Sequence, residues 1–182
     1  MSTNPAPHGL DLVIDFVNTL DVDAGQDELR APGGLDSWLA ARALVDPQAS
    51  PASDAEHRHT LDLREALRDL MLANNGSPVE GNPAAKLERA ARRGELGVHF
   101  DAPGGVSFLS GTSGVDGALA RLLVPVAQAI GDGSWQRVKA CRAADCAWAF
   151  YDRSRNRSGV WCEMAVCGNR TKVRAYRERK PR

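Results

Sequence analysis

All four cysteines of the chain lie within one short stretch of its C-terminal part. Cys141 and Cys146 are separated by four residues, fifteen residues follow, and Cys162 and Cys167 repeat the four-residue spacing. Two such pairs can supply the four thiolates that a structural zinc ion binds in tetrahedral geometry, at about 2.3 Å each. The spacing therefore predicts one structural zinc ion held by all four cysteines.

The alternatives to zinc depend on the cellular compartment. Disulfides need an oxidising compartment, and residues 1–20 do not resemble a secretory signal, because they lack a basic patch and place Asp11 and Asp15 in their apolar part. We therefore expect a cytoplasmic protein with reduced thiols, and iron–sulfur ligation is the remaining alternative. No stretch approaches the roughly 18 consecutive apolar residues of a membrane span, so no membrane partner is expected.

The charges of the chain are divided between its two parts. Residues 1–134 carry 10 Lys and Arg against 19 Asp and Glu, whereas residues 135–182 carry 13 against 4. The net charge is −9 in the first part and +9 in the second, and we place a domain boundary between them. A basic segment attracts polyanions, which makes residues 135–182 the expected nucleic-acid-binding module. The alternative is that the two oppositely charged parts pack against each other.

Hydrophobic periodicity predicts a mainly α fold with a small β-hairpin: a helical N-terminal domain followed by a small C-terminal zinc-finger module with four cysteine ligands. The capping box Ser53/Glu56 marks the start of the clearest helix. Alternating apolar residues on both sides of 101–105 predict the hairpin, and the glycine-rich stretch 111–117 is expected to be a loop. Further helices are expected over 10–20, 35–44, 82–94 and 119–130, and a basic helix from Gly168 onward.

The module carries motifs that resemble a known family. These are the four residues Cys167-Gly-Asn-Arg170, together with Phe150-x-Asp152-x-Ser154-Arg-Asn-Arg157 and Trp161-Cys162-x-Met164. They are similar to the CGNR zinc fingers, although Gly159-Val160 stands where that family often has another arginine. In the N-terminal part, Asp15-Phe-Val-Asn-Thr19 and Leu35-x-x-Trp38-Leu39 resemble the ABATE domain, which commonly precedes this finger. The resemblance implies a stress-induced transcription regulator.

The basic residues of the module are the candidate nucleic-acid contacts, because guanidinium groups reach phosphates with a planar fork of donors. Arg170 has two candidate roles, contact with phosphate and support of the metal site. Double-stranded DNA is the expected partner, with RNA binding and a protein-interaction module as alternatives. The candidate residues are Arg153, Arg155 and Arg157 of a polar loop and Arg170, Lys172, Arg174 and Arg177 of the basic helix.

The N-terminal domain is expected to sense a small-molecule effector or to form a homodimer. Asp15, Asn18 and Trp38 match the ABATE pattern and are the candidate ligand pocket; Asn18 has helix capping as its alternative role. We expect no enzyme, because four cysteines close the coordination sphere of zinc and leave no position for an activated water. Removal of the metal is expected to unfold residues 138–175, since small zinc modules fold with their ion.

Overall fold

The computed structural model describes residues 5–143 and 145–179, and over these ranges the chain is mainly helical, as predicted. The described helices are α1 (Leu10–Val17), α2 (Gly34–Ala41), α3 (Asp54–Ala73), α4 (Pro83–Arg93), α5 (Gly114–Asp132) and α6 (Asn169–Glu178). The strands are β1 (Leu20–Asp21), β2 (Gln26–Asp27), β3 (Leu96–Asp101), β4 (Gly105–Ser110), β5 (Val138–Ala140) and β6 (Ala149–Tyr151). None of the described helices has the length and apolar character needed to cross a membrane.

Side-chain caps and a left-handed glycine set several helix ends. The Ser53 hydroxyl accepts from the Glu56 N–H, and the Glu56 carboxylate accepts from the Ser53 N–H at 2.8 Å, which confirms the predicted capping box at the start of α3. Asn82 accepts from the Ala85 N–H at 3.0 Å and starts α4. α5 ends at Gly133, whose φ of 78° is readily adopted by glycine.

α5 begins earlier than the sequence indicated, which corrects the expectation that residues 111–117 form a loop. The helix starts at Gly114, so the second half of that stretch is helical. A Cβ atom at Gly117 would lie 2.2 Å from the carbonyl oxygen of Thr112. The glycine is therefore needed for close packing of the first helical turn against the preceding segment, and glycine content alone did not identify a loop.

The strands form three separate antiparallel pairs. The predicted hairpin is β3–β4, with Val98 opposite Phe108 and Phe100 opposite Val106. The pair β1–β2 has two residues per strand, too short for an alternating pattern to show in the sequence, and β5–β6 has three residues per strand. The β5–β6 pair joins the two parts of the chain, because Val138, Ala140 and Ala149 lie in the same buried cluster as the helical body.

Polar side chains of the body bind backbone groups of the C-terminal part. Asn74, just after α3, donates to the carbonyl oxygens of Trp135 and Val138 at 2.8 and 2.9 Å. Its neighbour Asn75 donates to the carbonyl oxygens of Ala140 and Val160, both at 2.8 Å. These bonds satisfy carbonyl groups that strand pairing leaves open, and they fix the module on the end of α3.

Arg68 and Asn18 of the body also bind the first cysteine loop, the segment between β5 and β6 that carries Cys141 and Cys146. The Arg68 guanidinium, 5% exposed, donates to the carbonyl oxygens of Val17 and Ala147, both at 2.7 Å. The Asn18 amide exchanges two hydrogen bonds with Ala149: its nitrogen donates to the Ala149 carbonyl at 3.0 Å, and its oxygen accepts from the Ala149 N–H at 2.7 Å. Asn18 thus pairs with the edge of β6 much as a strand residue would.

Replacing Asn75 by alanine should lower the free energy of unfolding by about 2–3 kcal/mol, because two carbonyl oxygens in a largely buried site lose their donor. Urea denaturation monitored by circular dichroism measures the change. Gln128→Ala, on the exposed side of α5, is the matched control and should change stability by less than about 0.5 kcal/mol. Equal effects of the two variants would show that the Asn75 bonds do not hold the module.

Candidate metal centre

β5 and β6 position the first pair of cysteines. Cys141 directly follows β5, and its N–H donates to the Trp148 carbonyl at 2.9 Å, so the strand pairing continues to the first ligand. The Cys146 N–H donates to the Ala143 carbonyl at 2.9 Å and closes the turn between the two cysteines. The first pair is therefore presented by a segment anchored in the core of the body.

The second pair lies on a different kind of element. Cys162 precedes a π-helical turn over Met164–Gly168, and Cys167 lies within this turn, its N–H donating to the Glu163 carbonyl at 2.9 Å. α6 follows without a break. The second pair is therefore joined to the basic helix rather than to the core.

The four sulfur atoms converge on one point. They all lie within 4.8 Å of one another, and the pairs Cys146–Cys162 and Cys162–Cys167 are both 3.6 Å apart. A tetrahedral zinc site with bonds of about 2.3 Å has sulfurs roughly 3.8 Å apart. The donor set thus fits one zinc ion, is too narrow for a cage around several iron ions, and contains free cysteines rather than disulfides.

The crowding of the sulfurs couples metal binding to proton release. Burial raises the pKa of the Cys146 thiol to about 11, and burial together with the neighbouring sulfurs raises the pKa of Cys162. Burial also opposes ionisation of Cys167, but hydrogen bonds from the other thiols and from Arg170 outweigh it and lower the pKa. Binding zinc as a tetrathiolate must therefore displace protons from Cys146 and Cys162.

Arg170 connects the metal centre with the body. Its guanidinium donates to both carboxylate oxygens of Asp23, at 3.0 and 3.1 Å, and to the Cys167 sulfur at 3.6 Å. The Asp145 carboxylate lies 3.6 Å from its Nε atom. These contacts favour support of the metal site over phosphate contact, because the cation offsets the negative charge of a zinc tetrathiolate. The hydrogen bond to Asp23 raises the pKa of Arg170 although desolvation opposes it, so the guanidinium stays charged.

Gly168 packs closely against two side chains beside the metal centre. A Cβ atom at this position would lie 2.4 Å from the Met164 sulfur and 3.0 Å from the Trp161 ring. Trp161 packs against the cysteine cluster, whereas Trp148 is 36% exposed. Asn169 does not cap α6; its amide donates to the carbonyl of Ala165 at 3.0 Å.

A buried ion pair builds the arginine loop, residues 153–158. Lys139 and Asp152 are 5% and 2% exposed, and Lys139 donates to the Asp152 carboxylate at 2.7 Å. The same ammonium donates to the carbonyls of Arg157 and Gly159 at 2.6 and 2.9 Å. Burial alone would raise the pKa of Asp152, but its hydrogen bonds, the one from Lys139 first, lower it to about 2. The loop is thus held by β5 and β6, without a metal ligand in it.

Gly159 is part of this arrangement. A Cβ atom there would lie 2.7 Å from one Asp152 carboxylate oxygen, and the other oxygen of that carboxylate accepts from the Gly159 N–H at 2.9 Å. A side chain at position 159 would therefore meet the buried Asp152 carboxylate, which favours glycine there.

The seven candidate nucleic-acid contacts differ in their surroundings. Arg170 binds Asp23 and Arg174 binds Asp145 at 3.0 Å, while Arg157 donates to Gln136 at 3.1 Å. The Arg153 guanidinium lies 5.3 Å from the centre of the Tyr151 ring. The remaining three are exposed and have no ion pair with any carboxylate that the structure describes: Arg155, Lys172 and Arg177.

The three residues of the candidate ligand pocket have different surroundings. Trp38 is 1% exposed, its ring 5.4 Å from that of Phe16 and covered by the Arg42 guanidinium at 4.1 Å. Asn18 is occupied by β6, and Asp15 is exposed at the surface. Trp38 is therefore a core residue and Asn18 a bridge between the two parts. A pocket formed by the three stays a prediction that these contacts do not support.

Comparison with protein families agrees with this geometry. A family model named ABATE and described as "Putative stress-induced transcription regulator" matches residues 10–133. The chain belongs to this family. A second model, the CGNR zinc finger, matches residues 137–180 and includes the four cysteines, so the resemblance inferred from the motifs is confirmed. Comparison with curated proteins gives no match.

Sequence patterns did not identify the residues that join the ABATE body to the CGNR finger. Arg68, Asn74 and Asn75 bind backbone groups of the C-terminal part that are 61 to 85 residues away in the chain. The position of Asn74 and Asn75 at the end of a helix is the available signal, but it indicates only a helix stop, because asparagine is common there for local reasons.

Zinc removal should unfold only part of the finger. α6 has ten residues and none of its described side chains is buried, so it is too short to persist alone. β5, β6 and the arginine loop are held by the core and by Lys139. We therefore narrow the unfolding expected for residues 138–175 to residues 161–179. Hydrogen exchange after chelation should show lost protection in 161–179 and retained protection in β5 and β6. Loss of protection in both would restore the wider expectation.

Replacing Lys139 by methionine should destabilise the protein by about 3–5 kcal/mol, because it leaves the Asp152 carboxylate buried without its cation. The double variant Lys139→Met with Asp152→Asn should recover part of this loss. Thermal and urea unfolding measure both values, with Lys86→Met on α4 as the control. A Lys139→Met protein as stable as the control would show that the ion pair does not hold the loop.

Proposed function

We propose that the chain is a transcription regulator that binds double-stranded DNA through its CGNR finger. In this proposal the ABATE body senses a small molecule, and the protein acts by binding rather than by catalysis. The family supports the regulatory class, and the cysteine centre supports a structural role for zinc. A tetrahedral ion with four protein ligands has no open position for a substrate or an activated water.

The observation that carries DNA binding is the presence of exposed cations on elements that are rigidly held. Arg155 extends from a loop whose backbone is fixed by Lys139 and Asp152, and Lys172 and Arg177 are on the helix that follows the second cysteine pair. Cations on a backbone that is ordered before binding require less loss of conformational entropy on contact with phosphate. Arg153 and Arg157 lie on the same loop with uncharged partners, which a phosphate can replace or join.

The carboxylates of the body and of the first cysteine loop have a second role in this proposal. Asp23 and Asp145 neutralise Arg170 and Arg174. We infer that these two arginines stabilise the finger, so that about five cations face the nucleic acid. These are Arg153, Arg155, Arg157, Lys172 and Arg177.

Five phosphate contacts predict a slope near −4.5 for the logarithm of the DNA association constant against the logarithm of the salt concentration. The triple variant Arg155→Gln, Lys172→Gln, Arg177→Gln should reduce this slope to about −2, because it removes three contacts at about 0.9 each. Fluorescence anisotropy with a labelled duplex over a range of salt concentrations measures the slope.

The matched control changes three exposed cations of the body, Arg58, Arg89 and Arg92, to glutamine and so alters the net charge equally. It should leave the slope near the value of about −4.5. If both triple variants lower it equally, the finger is not the contact surface. Salt-insensitive binding by the unmodified protein would instead favour the protein-interaction module, and stronger competition by structured RNA than by duplex DNA would favour RNA binding.

A further inference from the structure

A cavity of about 660 Å³ lies on the ABATE body, away from the finger. It is open to solvent and is bounded by the segment that follows α2, by the end of β4 and by the first turns of α5. None of Asp15, Asn18 and Trp38 lines it. Its volume is within the range of roughly 300–1,000 Å³ in which proteins bind small molecules. Apolar side chains form much of the wall: Ala40, Ala43, Leu44, Val45, Pro47 and Leu109.

Two residues that line the cavity carry side-chain hydrogen-bond donors, Arg121 and Thr112. Arg121 is exposed to solvent, and its guanidinium donates through one Nη atom to the Leu44 carbonyl, which fixes its position. Its Nε and other Nη atoms have no partner among the described residues. The hydroxyl oxygen of Thr112, also in the wall, is buried and has no hydrogen-bond partner there. A buried hydroxyl without a partner is costly, and a bound polar group would satisfy it.

The N-terminal end of α5 also lines the cavity and contributes backbone hydrogen-bond donors. α5 has 19 residues, and the side chain at its N-cap, Ser113, makes no capping hydrogen bond, so the first backbone N–H groups are not satisfied by that side chain. The described acidic residue in the wall is Asp46, whose carboxylate accepts from the Gln48 N–H at 2.8 Å within its own turn. Arg121 therefore has no carboxylate partner among the described residues of the cavity.

We propose that this cavity binds a small monocarboxylate with an apolar body. The carboxylate accepts from Arg121 and Thr112 near the start of α5, and the apolar body covers the opposite wall, including Leu109, which is 51% exposed. In the proposed function the ABATE body senses a small-molecule effector, and this cavity would be its binding site and a monocarboxylate its chemical class. Its regulatory meaning rests on that function, whereas ligand binding is tested without DNA.

The test uses phenylacetate as the probe and its uncharged amide, phenylacetamide, as the matched ligand, in ¹H–¹⁵N NMR titrations of the zinc-loaded full chain. A ligand of this size should bind with a dissociation constant in roughly the millimolar range. Phenylacetate should shift the amide signals of residues 43–46 and 109–121. Phenylacetamide should bind at least about tenfold more weakly, since it lacks the charge that Arg121 recognises.

Variants separate the site from general charge effects. Arg121→Leu should weaken phenylacetate binding about tenfold or more, and Thr112→Val several-fold, while Arg92→Leu on the exposed face of α4 should change nothing. Thr112→Val keeps the shape of the side chain, and so it tests the site even if loss of the Leu44 contact makes Arg121→Leu unfold. Equal binding of the acid and the amide, equal binding by Thr112→Val and the unmodified protein, or shifts outside the two segments would overturn the site.

DNA affinity is then measured with and without phenylacetate. A site confirmed by NMR together with an unchanged DNA affinity would leave the carboxylate site standing and count against the sensing role. Absence of phenylacetate binding in a protein that binds DNA with the predicted salt slope would overturn the site and leave the DNA-binding proposal intact.

Discussion

Four cysteine sulfurs lie within 4.8 Å of one another, and as thiolates they would repel each other strongly unless a cation lay between them. The C-terminal part of the molecule depends on this electrostatic constraint. The negative charge of a zinc tetrathiolate calls for donors and cations close by, and Arg170 meets this demand beside Cys167. Because Arg170 also binds Asp23, the charge at the metal centre is connected to the body of the protein. The orientation of α6 follows from these contacts, since its described side chains include none that is buried.

The finger is not an independent unit on a linker. Its two strands share the hydrophobic core of the helical body, and asparagine and arginine side chains of the body satisfy its backbone groups. The finger thus has two sources of order. The strands and the arginine loop depend on burial and on the Lys139–Asp152 pair, whereas the second cysteine pair and α6 depend on metal binding.

The cations of the finger fall into two groups. Arg170 and Arg174 form internal ion pairs with Asp23 and Asp145, while Arg155, Lys172 and Arg177 extend into solvent. The sequence left two explanations for the basic segment, contact with a polyanion and attraction to the acidic body. Some of its arginines pair with carboxylates of the protein, so the net charge of the segment overstates the number of cations that are free to contact a phosphate backbone.

The sequence by itself determined the features that depend on local spacing. Two cysteine pairs with equal spacing indicated the metal and its ligands, and the Ser53/Glu56 cap, the Gly133 stop and the 101–105 turn indicated helices and a hairpin that the structure contains. Each of these rests on contacts within a few residues of the chain. Local patterns were less informative for the two short strand pairs and for the start of α5.

Only the tertiary structure decided how distant residues are used. It gave Asn18 a role in bridging to Ala149 and Trp38 a place in the core, paired Lys139 with Asp152, and opened a cavity beside Arg121. The physical reason is that the sequence around an asparagine, lysine or arginine can be the same whether its side chain faces solvent or binds a buried carbonyl. Which of these it meets depends on the packing of elements that are far apart in the sequence.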